Sequence, residues 1–154
     1  MKRTLTAVLF ILAAISSSGL EFRNTSWQMN RDQVVASEQG CIVSEINVSG
    51  QQQIVYKAYV NGYAGNITYV LENDKLLSAS YRFKNDHHME IYNYMNAELL
   101  DRYGKPSMQT GKLVVWRLEN TEIALAHLPD NTCYVAYWEK NYFAQMSQIT
   151  KANQ

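Results

Sequence analysis

The sequence predicts an α+β fold: two tandem helix-plus-three-strand repeats forming an antiparallel sheet, with the helices packed on one face. Three observations lead there. Asn66 to Phe83 alternates like a hairpin, with Ile67, Tyr69, Leu71, Leu77, Ala79, Tyr81 and Phe83 on one face. Thr68, Glu72, Ser78, Ser80 and Arg82 take the other, Val70 and Leu76 break the alternation, and Asn73-Asp74-Lys75 suits the turn. Second, Met89, Tyr92, Met95, Leu99 and Tyr103 recur at helical spacing. Third, Ile67, Tyr69, Ala79 and Tyr81 return 56 residues later as Ile123, Leu125, Val135 and Tyr137.

The start of the chain sets the compartment. Met1-Lys2-Arg3 is basic, Leu5 to Ile15 is an apolar run, and Ser16-Ser17-Ser18-Gly19 supplies small residues. This is the pattern of a cleaved signal peptide over residues 1–19, and the run is shorter than the roughly 20 residues a membrane span needs. The expected location is periplasmic or secreted, with no membrane span after cleavage. Residues 20–154 then form one domain, its repeats at about 27–83 and 86–139. Dropping Lys2 and Arg3 changes 14 basic against 14 acidic residues to 12 against 14, a net charge of −2. With no Lys/Arg cluster, nucleic acid is not an expected partner.

The elements follow in order. Phe22 and Trp27 anchor an extended lead-in. Asn30 caps a short first helix, with Gln33 at the capping-box position, Met29 placed to pack on Val34, and Gly40 as the stop. Cys41–Val48 and Gln53–Val60 read as strands, broken at Gly50-Gln51-Gln52 and ended by Asn61-Gly62. After the central hairpin, Asn85-Asp86 caps a second helix from about His87 to Tyr103, stopped by Gly104 and Pro106. Strands at Lys112–Leu118, Glu122–Leu128 and Thr132–Trp138 follow. A last helix spans Glu139–Ile149, and Lys151–Gln154 is a tail.

Two cysteines, Cys41 and Cys133, in an exported chain point to a disulfide. Closing so long a loop is worth about 4–5 kcal/mol in the chain-entropy view. Two free buried thiols are the alternative.

Catalytic patterns are missing from the sequence: it has no G-x-S-x-G and no glycine-rich phosphate loop, so neither an enzyme nor a cofactor is expected. His87 and Glu90, at i,i+3, are the one pair that suggests an envelope enzyme or metal-binding protein, and no third ligand accompanies them. The richer signal is aromatic. On the second repeat the positions matching Thr68, Ser78, Ser80 and Arg82 hold Ala124, Tyr134, Ala136 and Trp138, with Trp116 on the adjoining strand. Small residues beside large rings make a flat apolar platform, a binding face if exposed. The alternative is that the segment around Tyr142 and Phe143 folds back over it.

Phe22-Arg23-Asn24-Thr25-Ser26-Trp27-Gln28-Met29, followed by Gln33-Val34 and Glu38, resembles the F-R-x-T-x-W-G-M-x-x-x-Q-V-x-x-x-E stretch of small exported bacterial proteins of unassigned function. Tyr103-Gly104-Lys105-Pro106 matches their Y-G-K-P. Gln28 replaces the glycine of that pattern, which puts the turn before the first helix in question. In architecture the chain is also similar to the β-lactamase inhibitory protein and to small outer-membrane assembly lipoproteins. That similarity implies a sheet face that grips another protein. The expected function is therefore an exported protein-binding module of inhibitor, immunity or envelope-assembly type. A structural homodimer built on the same platform is the remaining alternative.

Overall fold

The computed structural model describes residues 21–84 and 86–145. The expected signal peptide, Asn85, residues 146–149 of the expected last helix and the expected tail lie outside the described residues. The fold is α+β. Helices α1 (Arg31–Ser37) and α2 (His88–Tyr103) each precede four strands: β1 (Ile42–Val48), β2 (Gln51–Val60), β3 (Tyr63–Glu72) and β4 (Lys75–Lys84), then β5 (Met108–Thr110), β6 (Leu113–Arg117), β7 (Thr121–Leu128) and β8 (Thr132–Glu139). A short helix α3 occupies 140–145. The strands make one antiparallel sheet in the order β1-β2-β3-β4-β8-β7-β6-β5. The sequence pattern lacks β5, which is three residues long and too short to show alternation.

Local chemistry explains most boundaries. The Asn30 side chain accepts from the Gln33 amide while the Gln33 side chain accepts from the Asn30 amide, a reciprocal capping box. α1 stops at Ser37 rather than at Gly40, because Glu38 is already extended at φ −100°, ψ 139°. α2 starts at His88 behind His87, with no side-chain cap, so Asp86 does not serve as the N-cap; Gly104 at φ 71° ends it. The β3–β4 turn places Asn73 at φ 52° and Asp74 at φ 59°, the left-handed pair that a twisted two-residue hairpin needs. Ser49-Gly50 does the same for β1–β2, so β2 begins at Gln51 and not at Gln53.

The departure from alternation at Leu76 has a cause in the register. The β3–β4 register runs Val70↔Ser78 and then Leu71↔Leu76, leaving Leu77 as the extra residue of a bulge. Leu76, not Leu77, therefore sits with Leu71 in the core, and it is fully buried. Along that same sheet face lie Ile54, Tyr56, Ile67, Tyr69, Ala79, Phe83, Cys133, Val135, Tyr137, Ile123, Leu125, Val114 and Trp116, continuous with Val34 of α1 and Ile91, Met95 and Leu99 of α2. Gly65 is fixed by this packing, since a Cβ there would lie 2.4 Å from the Phe83 ring.

β4 and β8 form the central seam. Ala79 faces Tyr137, Ser80 faces Ala136, and Tyr81 faces Val135. The outer strands are β1 and β5.

Candidate binding site

Strand register decides which of the sequence-predicted platform residues share a surface. Tyr134, Ala136 and Trp138 of β8 alternate on the face opposite the core, and Ala124 pairs with Ala136 there. Trp116 does not join them. It pairs with Ile123, whose other neighbour is Tyr137, so it points into the core, 1% exposed, and its indole N–H donates to the Gly104 carbonyl at 2.9 Å. The expectation that Trp116 belongs to the platform is corrected by one residue of strand parity.

The rest of that face is half-covered. Ala136 is fully buried and Ser78 and Ser80 nearly so. The Phe143 ring lies 5.4 Å from the Trp138 ring, and the buried Tyr142 accepts a 2.9 Å hydrogen bond from Gln51 at the far side of the sheet. The start of the C-terminal segment folds back over the platform.

The expected disulfide is also corrected. Cys41 and Cys133 are both free thiols, one exposed before β1 and the other buried in β8. Four interstrand spacings separate these positions, about 19 Å, where a disulfide requires Cα atoms within about 7 Å. Burial pushes the Cys133 thiol up to about 12, the opposite of what a nucleophile needs.

His87 and Glu90 do meet, Nδ1 to Oε2 at 3.3 Å, and Tyr63 donates to the same carboxylate oxygen at 3.0 Å. Among the described residues no three His, Cys, Asp or Glu side chains gather as metal ligands.

The cluster that sequence reasoning missed lies on the core side. Arg23 makes a bidentate pair with Glu38, Nε to Oε1 at 2.9 Å and Nη2 to Oε2 at 3.2 Å. The Glu38 side chain is only 4% exposed and also accepts from the Tyr69 hydroxyl. Arg23 reaches the Tyr81 hydroxyl at 3.5 Å. Burial works against the Arg23 charge, but bonds to Tyr81 and Glu38 outweigh it and hold the guanidinium protonated. Burial and the Glu38 contact push the Tyr69 hydroxyl well above its ordinary range. Phe22 fills the centre, its ring 4.9 Å from Tyr81 and 5.0 Å from Tyr137. Phe22, Arg23 and Glu38 are all motif positions. The missed signal was that the core tyrosines carry hydroxyls that must find partners.

Along the flank of α2, a pocket of about 390 Å³ adjoins this cluster through Tyr81 and Tyr137. Val60, Met95 and Leu99 supply apolar wall, Tyr81, Tyr94 and Tyr137 supply rings, and Glu98, Asp101 and Arg102 stand at the mouth.

The lead-in places the other motif residues. Thr25 is buried and donates to the Phe22 carbonyl, and the Trp27 indole N–H donates to Thr121 at 2.9 Å. Gln28, where the resembling pattern has glycine, adopts φ 71°, so the left-handed turn is retained with a side chain in it. Its amide donates to Leu76 and that residue's amide donates to Met29, tying the lead-in to β4.

No curated protein and no solved structure matches the chain. A family profile described as the TP0088 domain matches residues 16–149, nearly the whole sequence, and the chain belongs to the TP0088 domain family.

Proposed function

We propose that the protein is an exported, non-enzymatic protein-binding module that recognises a partner by strand addition at the β1 edge. The observation that carries this is the state of that edge. All seven residues of β1 are exposed, and Ile42, Val43, Ile46 and Val48 are between 37% and 53% exposed. Free edges are ordinarily blunted by charge, proline or shortness. The opposite edge follows that rule, being only three residues long. β1 has no proline or lysine, and its one charge, Glu45, is taken by the chain itself: Arg31 binds it at 2.8 and 2.9 Å and Gln52 at 2.6 Å. What remains, among the described residues, is an unpaired row of backbone donors and acceptors beside apolar side chains, the surface that an extended partner segment completes.

Export rests on the basic start and apolar run of residues 1–19. The two-repeat reading extends to a helix and four strands per unit, with the helices on one face. It is supported by matching registers: Ile67↔Tyr81 in the first hairpin corresponds to Ile123↔Tyr137 in the second. Likewise Tyr56↔Ile67 corresponds to Trp116↔Ile123.

The test is affinity capture of the mature protein against envelope extract and culture fluid, in parallel with Ile46→Lys and Val48→Lys. Both positions are exposed, so the variants fold normally by circular dichroism. A stoichiometric partner held by the native chain and lost by both variants supports the reading. A partner held equally by all three, or one lost only with Trp138→Ala, overturns it.

A further inference from the structure

We propose that the pocket beside α2 binds a small zwitterion with an apolar body, of the amino-acid or short-peptide class. Its volume, about 390 Å³, falls at the low end of the roughly 300–1,000 Å³ typical of small-molecule sites. The wall made by Val60, Met95 and Leu99 with the Tyr81, Tyr94 and Tyr137 rings takes an aliphatic or aromatic body.

The polar groups divide by sign. The Tyr81 hydroxyl and the Arg102 guanidinium are donors in the lining. Tyr81 already accepts a hydrogen bond from Arg23, which leaves its own proton to donate. Arg102 is exposed, stacks at 5.9 Å over the Tyr103 ring, and its charge acts on both Tyr81 and Tyr137. A guanidinium and a phenol O–H in the lining of one pocket are the donors that a carboxylate needs. Glu98 and Asp101 supply the complementary acceptors for an ammonium group at the same mouth. A simple anion would meet two carboxylates there and a simple cation would meet Arg102, so a ligand carrying both charges satisfies the mouth best. Arg23 is not available to the ligand, because Glu38 holds it on two bonds.

Isothermal titration of the mature protein with L-leucine, L-phenylalanine and the dipeptide Leu-Leu tests this, alongside N-acetyl-leucine, which lacks the ammonium, and leucinamide, which lacks the carboxylate. Saturable millimolar-or-tighter binding of a zwitterion, weakened roughly tenfold in both blocked analogues, is expected. Arg102→Gln weakens leucine by a similar factor and leaves leucinamide unchanged. Glu98→Gln combined with Asp101→Asn weakens leucine and leaves N-acetyl-leucine unchanged. All three side chains are exposed, so these variants fold. No saturable binding of any zwitterion, or binding indifferent to Arg102→Gln, overturns the proposal.

Discussion

Ser80 and Ala136 face each other across the β4–β8 seam and stand 56 residues apart in the sequence, the same interval that relates the two hairpins. Under the proposed duplication, this pairing brings equivalent positions of the two units together. Four strands extend from the seam on each side, and the sheet ends on β1 and β5. The two edges differ most where the proposed duplication would make them alike: seven exposed residues on one side and three on the other.

Removing the Arg23 side chain leaves the Glu38 carboxylate, 4% exposed, without its bidentate partner. Arg23→Ala is expected to cost about 2 kcal/mol, less than a fully buried pair because the arginine is a third exposed. Urea denaturation of Arg23→Ala and of the double variant with Glu38→Gln checks this, the double variant recovering part of the loss.

Gln28 holds φ 71°, a conformation that costs a side-chain-bearing residue but not glycine. Gln28→Gly is expected to raise stability by about 0.5–1 kcal/mol and Gln28→Val to lower it, read as thermal midpoints.

How much of this was legible in the sequence follows from what periodicity can carry. The hairpin turn at Asn73-Asp74, the capping box of Asn30 and the stop at Gly104 were readable because each is local chemistry. Leu76 and Trp116 were misassigned because one bulge or one step of register reverses a strand's faces, and neither is encoded in alternation. The Arg23–Glu38–Tyr69 cluster was out of reach for another reason. Arg23, Glu38 and Tyr69 are separated by 15 and 31 positions, and only the fold brings them together.

The thiols give a direct check on the corrected cysteine assignment. Thiol titration should find one fast-reacting group in the native protein, Cys41, and two in denaturant, since Cys133 is buried with its pKa raised to about 12. Reducing agent should leave stability unchanged.

His127 introduces a pH dependence. Burial, then the charges of Lys112 and His88, hold its pKa below the ordinary value, and its ring sits 4.9 Å from that of His88. The unfolded chain therefore takes up the proton first, so this contribution is full above an unfolded pKa of about 6.5 and declines as pH falls through it. Denaturant midpoints between pH near 7.5 and pH near 5.5 should fall in the native chain and fall less in His127→Gln.

The central claim is that β1 is an open edge awaiting a strand. Hydrogen exchange on the captured complex, compared with the free protein, tests it most directly. Strong new protection confined to amides of Ile42–Val48 is the predicted result. Unchanged exchange along β1, with protection arising instead around Tyr134 and Trp138, would contradict it.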